Sequence, residues 1–202
     1  MTLCHTLRLD VDLPPRQVHK LLMRSISHIK LDPGSPRSDA AMTYRQDGRT
    51  LTVHTRDGIT PALPWQAGEV VASQTLDFPS DTAPFEVTVA RQYRPSVPRD
   101  PDVVALADRR GEVAHTTGKL TPVPADRLDE WAAALLHRAG IEASGVHVEV
   151  APDVSLDGSR RARIPAAKIT ATAPSTQLAA AIAAGGVGRG RNYGLGHITP
   201  TI

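Results

Sequence analysis

Leu3, His5, Leu7, Leu9 and Val11 alternate with Cys4, Thr6, Arg8 and Asp10 at the start of the chain. A period of two puts the first set on one face of an extended segment, which predicts a half-buried strand. The period then changes. In "LPPRQVHKLLMRSISHI" the residues Val18, Leu22, Ser25 and Ile29 fall on one helical stripe, flanked by Leu21 and Ile26, with proline suited to a first turn. This predicts a helix over about residues 14–29. "DPGSPRSD" interrupts the pattern, "AMTYRQDGRTLTVHT" reads as a hairpin turning at Asp47-Gly48, and "GEVVASQTLDF" reads as a further strand.

Proline-rich stretches at 61–64 and 79–84 set this first group apart from a second. There "PFEVTVARQYRP" predicts a strand and "DPDVVALADRRGEVAHTTGKLTP" an irregular connection. "PADRLDEWAAALLHRAG" predicts an amphipathic helix closed by Gly140. "GVHVEVAP", "PAAKITATAP" and "GLGHITPT" are strand-like, and "STQLAAAIAAG" is helical, with Ser175 placed to cap it. Strand, helix, strand, strand, helix, strand is the ferredoxin-like order. The expectation is an α+β protein of two tandem ferredoxin-like (RRM-like) units, over residues 1–80 and 84–202.

Composition changes this picture little until charge is placed along the chain. The formal net charge of the 202 residues is only +2. Yet every Asp and Glu precedes Gly158, whereas Arg160, Arg161, Arg163, Lys168, Arg189 and Arg191 follow it. A segregated positive field of that kind attracts a polyanion. The single cysteine, Cys4, excludes an internal disulfide and any multi-cysteine zinc site. The histidines show no H-E-x-x-H or comparable ligand spacing, so no metal and no cofactor are expected. No apolar run is long enough to span a bilayer, and the charged, alternating N-terminus resembles neither a signal nor a transit sequence, so a cytoplasmic protein is expected.

The densest local signal is "GGVGRGRNYGLGHI" at 185–198. It fits no G-x-G-x-x-G frame opening a βαβ unit, and the nearest approach to a P-loop has Arg191 and Asn192 where Lys and Ser or Thr belong. The loop therefore reads as a turn between the last helix and the last strand. Its glycines suit a close approach of backbone to RNA or to the sheet. Tyr193 either stacks on a base or fills the core, the core being favoured, and His197 is left unassigned, a stripe position of the last strand being its plainest explanation.

Four stretches, "VHKLLMRSI", "FEVTVARQYRP", "KLTPVPADRLDEWAAALLHRAGI" and the terminal glycine-rich loop, together resemble the repeat-processing endoribonucleases of CRISPR systems, the CasE subfamily (type I-E) of the RAMP superfamily. Gly186, Gly188, Gly194 and Gly196 supply the superfamily's glycine pattern. The resemblance implies a tandem ferredoxin-like fold and a metal-independent cut at the 3′ base of repeat hairpins in precursor CRISPR RNA. In that reaction a 2′-hydroxyl attacks the adjacent phosphate and the 5′-oxygen leaves. Implied partners are the repeat hairpin, the guide RNA and other subunits of a Cascade surveillance complex, with no membrane. A non-catalytic subunit that holds a hairpin is the alternative.

The same resemblance places the catalytic histidine at His19, in the first helix. Many relatives carry a tyrosine three residues earlier, where this chain has Arg16; Arg16 shares the helix face of His19. Arg16 and Lys20 are therefore the cations expected to stabilise a developing phosphorane, with Arg24 next to them on the RNA. Relatives grip the RNA stem with a basic hairpin, matched here by Arg160, Arg161 and Arg163 in "DVSLDGSRRARIP". The expected RNA-contacting set is completed by Lys168 and by Gly186, Gly188, Arg189, Gly190, Arg191 and Asn192 of the glycine-rich loop.

Overall fold

A computed structural model of the chain describes residues 1–31, 34, 36–93, 120–158 and 162–201. The first sheet contains β1 (Thr2–Leu9), β2 (Thr43–Asp47), β3 (Thr50–Arg56) and β4 (Gly68–Thr75), in the order β2-β3-β1-β4. All its pairings are antiparallel. Helix α1 (Pro15–Ser25) packs on it and buries Val18, Leu22 and Ser25, the stripe that the periodicity predicts. Leu7, Leu9, Tyr44, Leu51 and Val53 complete this core.

α1 stops at Ser25 rather than continuing to residue 29. The hydroxyl of Ser25 donates to Leu22 O and that of Ser27 to Arg24 O, both at 2.8 Å, so side chains take carbonyls of the last turn and favour its end. Val11 lies beyond the end of β1 and is exposed, whereas His5 is fully buried. His5 is hydrogen-bonded to Ser73, Thr55 and the carbonyl of Ile59. A four-residue helix, α2 (Pro36–Asp39), stands in the stretch that reads as a break.

The first unit also lacks the second helix of the ferredoxin-like order. Residues 57–67 run from β3 to β4 without one. Pro61 and Pro64 disfavour a helix interior there, and the loop is tied to the end of α1 by Ala62 N donating to Ser25 O at 2.9 Å.

The second sheet is complete. It contains β5 (Thr82–Ala90), β8 (Ser144–Ser155), β9 (Arg163–Pro174) and β10 (Ile198–Pro200), in the order β10-β5-β9-β8. Helices α3 (Leu128–Arg138) and α4 (Ser175–Ala183) cover one face, over a core that includes Phe85, Val87, Val89, Leu136, Ile169 and Leu178. β6 (Gln92–Tyr93) and β7 (Thr121–Pro122) form a small ribbon. Most of the irregular connection expected between them lies outside the described residues. Ser175 does not cap α4: it is the first helical residue, and its hydroxyl donates to Ser80 O. Two sheets with this strand order make the α+β, tandem ferredoxin-like architecture expected from the sequence.

The last strand is shorter than its sequence predicts because Gly194–His197 belongs to a backbone crossing. Val187 N donates to Gly196 O at 2.9 Å, and Gly196 N donates to Thr88 O at 2.6 Å. A Cβ on Gly186 would lie 2.2 Å from Gly196 O, and one on Gly196 would lie 2.1 Å from Val187 O. These two glycines are required by contact of backbone with backbone.

Candidate functional site

The glycine-rich loop sits where the two units meet. Its 3-10 turn (Arg191–Tyr193) packs against α1 and β2. The buried Tyr44 of β2 holds the junction: its hydroxyl lies 3.1 Å from both Pro15 O, at the first turn of α1, and Asn192 O, in the turn. Burial pushes this phenol well above its ordinary pKa, so it stays protonated and donates. The loop is thereby fixed against the start of the helix that carries His19.

His19 is half-buried on α1, and its Nδ1 is buried without a partner. No described residue is hydrogen-bonded to it. Burial holds the imidazole below its ordinary pKa, and the positive charge of Arg37 adds to that shift. At neutral pH the ring is therefore uncharged and able to accept a proton. Arg16, Lys20 and Arg24 are exposed along the same helix.

Arg37, on α2, is a member of this group that the sequence did not reveal. Its Nη1 donates to Asn192 Oδ1 at 2.8 Å, while Nε and Nη2 are buried with no partner. Burial and the neighbouring Arg191 lower its pKa to about 10, which leaves it charged at neutral pH. The "PRSD" turn carries no periodicity, and Asn192 lies at the far end of the chain, so the only available signal was a cation beside a break.

The basic hairpin also adjoins α1. Leu156 N donates to Ala162 O across its base, and Arg16 N donates to Leu156 O at 3.1 Å. Arg163 opens β9, paired in register with Ser155. Arg160 and Arg161 fall outside the described residues. The base of the hairpin, the first turn of α1 and the glycine-rich loop thus converge on one region.

Three expected residues are placed differently. Lys168 is ion-paired at 2.7 Å to Glu86, which lines the cleft between the sheets and also pairs with Arg45. Arg191 turns its Nη1 back on the carbonyl of Gly185 at 3.0 Å, just beyond the C-terminal end of α4, where a cation meets the helix dipole. Gly186 serves the backbone crossing described above. Gly188, Arg189 and Arg191 line a separate groove of about 700 Å³ with Arg138, Tyr93 and Trp131. Gly190 is the left-handed residue that opens the 3-10 turn. Tyr193 is half-buried and lines the cleft between the sheets, and His197 is buried. Among the described residues no three His, Cys, Asp or Glu side chains form a metal-binding group, and no helix is long and apolar enough to cross a membrane.

No family model matches the sequence, and no curated protein matches it either. Solved structures do. The CRISPR-associated protein Cas6e of Escherichia coli K-12 aligns over 100% of this chain and 99% of its own, with a TM-score of 0.65 at 12% identity. The CRISPR endoribonuclease Cse3 bound to a 19-nucleotide RNA aligns over the same shares with a TM-score of 0.67 at 16% identity. Cse3 of Thermus thermophilus, bound to an RNA representing a pre-cleavage complex, gives 0.66 at 15% identity, over 100% of this chain and 99% of its own. The whole chain therefore has the fold of Cas6e and Cse3, with both ferredoxin-like units and their connection included.

Proposed function

We propose that this chain is a metal-independent endoribonuclease that processes precursor CRISPR RNA, cutting at the 3′ base of repeat hairpins. It then stays on the mature guide RNA as a subunit of a type I-E surveillance complex. The observation that carries the reading is the position of His19, an unbonded and neutral imidazole at the junction of α1 with the glycine-rich loop, in a chain folded throughout like Cas6e and Cse3. Cse3 is solved with RNA, and a chain of similar fold is solved within an RNA-guided surveillance complex (TM-score 0.56, 13% identity).

The chemistry follows from the groups available. His19 accepts the proton of the 2′-hydroxyl beside the scissile phosphate as that oxygen bonds to phosphorus. The bond from phosphorus to the 5′-oxygen breaks, that oxygen takes the proton from the His19 imidazolium, and the products are a 2′,3′-cyclic phosphate and a 5′-hydroxyl. Arg16 and Lys20 supply positive charge as the phosphorane forms, and Arg24 contacts the flanking backbone. Neither arginine can act as an acid or base, and the proton of the 2′-hydroxyl is carried by His19. The basic hairpin with Arg160, Arg161 and Arg163 grips the stem, where A-form geometry rather than base identity is read.

The test is cleavage of a hairpin repeat RNA in EDTA by the wild type and by His19→Ala, with a second substrate carrying 2′-deoxy at the cut. The expected result is cutting by the wild type alone, a loss of about 10²- to 10⁴-fold in the variant, and none on the deoxy substrate. A wild type that binds the hairpin tightly and leaves it whole overturns the enzyme in favour of a hairpin-holding subunit.

A further inference from the structure

Arg37 is charged and largely enclosed, and it has no counter-ion among the described residues. Its nearest carboxylate in sequence, Asp39, is ion-paired with Arg56 of β3 at 2.8 Å. The ionisable groups beside it, Arg191, the neutral His19 and the protonated Tyr44, supply no negative charge. Among the described residues its guanidinium is bonded to the neutral carboxamide of Asn192. Buried guanidinium nitrogens without acceptors are costly, and native structures seldom keep them unless a ligand or partner completes the site. The group that relieves both deficits is an anion with two oxygens spaced for a guanidinium fork, and a phosphodiester has that form.

Resting on the endoribonuclease reading, we propose that Arg37 is a catalytic residue of this site, holding the non-bridging oxygens of the scissile phosphate beside His19. In the free protein Asn192 accepts from Nη1. Its side chain is exposed, so an incoming phosphate displaces the carboxamide and takes the Nη1–Nη2 edge of the guanidinium. The phosphate then lies within reach of the imidazole on α1, and the fork meets the negative charge that develops when the 2′-oxygen bonds to phosphorus. α2, a four-residue helix set in a break of the pattern, thereby delivers a cation that α1 does not itself contain.

The test is single-turnover cleavage of the hairpin RNA at saturating enzyme, as a function of pH, for the wild type, Arg37→Gln and Arg37→Lys. Binding of the 2′-deoxy RNA and urea unfolding are measured for each. Arg37→Gln is expected to lower the rate about 10²-fold or more, weaken deoxy-RNA binding less than about 10-fold and unfold at the wild-type midpoint. Arg37→Lys, which keeps the charge and loses the fork, is expected to fall between them. Because Arg37 depresses the pKa of His19, its removal should also move the acid limb of the pH–rate profile upward. A rate for Arg37→Gln equal to that of the wild type, or a loss that appears wholly in binding or unfolding, overturns the role of Arg37 alone. A wild type that binds without cutting overturns the endoribonuclease reading and the catalytic Arg37 with it.

Discussion

His54 of β3 and His197 of the glycine-rich loop are stacked with ring centroids 4.0 Å apart, one from each unit, and both are almost fully buried. Thr43 Oγ1 lies 3.3 Å from His197 Nδ1, while His54 Nδ1 and His197 Nε2 have no partner. Burial lowers the pKa of His54 to about 4, with His5 adding to the shift. Burial, His54 and Arg45 hold His197 well below its ordinary value. The sign follows directly. Both rings stay neutral in the folded protein at pH values where the unfolded chain takes up protons, so stability is full above about pH 6.5 and falls as the pH drops toward 4. Glu86, whose pKa is lowered by Lys168 and Arg45, contributes its own loss only below its ordinary value of 4.5. Between pH 6.5 and 5 the loss belongs to the histidines, at up to about 1.4 kcal/mol per pH unit for each. Urea unfolding at pH 7, 6 and 5 should show this decline, and His197→Leu should remove about one proton from its slope. An unchanged slope in that variant would place the protonation elsewhere.

At the scale of elements, the glycine-rich loop is first a structural crossing. Replacing Gly186 by alanine would set a Cβ 2.2 Å from Gly196 O at a φ of +81°, so both clash and backbone strain oppose it. At Gly188 the φ is +74°, but the nearest atom is a Leu135 methyl at 3.6 Å. Gly186→Ala should therefore cost roughly 3 kcal/mol or more, and Gly188→Ala nearer the 1–3 kcal/mol of left-handed backbone strain alone. Equal urea midpoints for the two would refute the crossing as the reason for Gly186. The sequence displays the loop because glycine density is a local property, and it displays α1 because a stripe of Val18, Leu22 and Ser25 is local too. It does not display which glycines meet backbone and which meet open space. Nor does it display that Arg191 turns back on the end of α4, since that contact depends on how the chain closes.

Over the whole molecule, the positive C-terminal block is positive along the chain but not everywhere in space. Lys168 belongs to it in sequence, yet the ladder of β5 and β9 brings Glu86 to within 2.7 Å of it, in a cleft that also holds Arg45. Arg163 opens β9, beside the hairpin that reaches the first turn of α1. The fold order was legible because each element has its own period, whereas neutralisation between strands was not, because the partner of Lys168 lies in a different strand of the second unit. This difference has a measurable consequence for RNA. Each phosphate neutralised by a cation contributes about −0.7 to −0.9 to the slope of log affinity against log salt. Arg163→Ala should lower the magnitude of that slope by about one for a 2′-deoxy repeat hairpin, while Lys168→Ala should leave it unchanged. The titration separates two ways of reading a basic segment: if both substitutions reduce the slope alike, the RNA enters the cleft between the sheets and breaks the ion pair of Lys168 with Glu86. If only Arg163 matters, the RNA lies across the hairpin, α1 and the glycine-rich loop, as the proposed function requires.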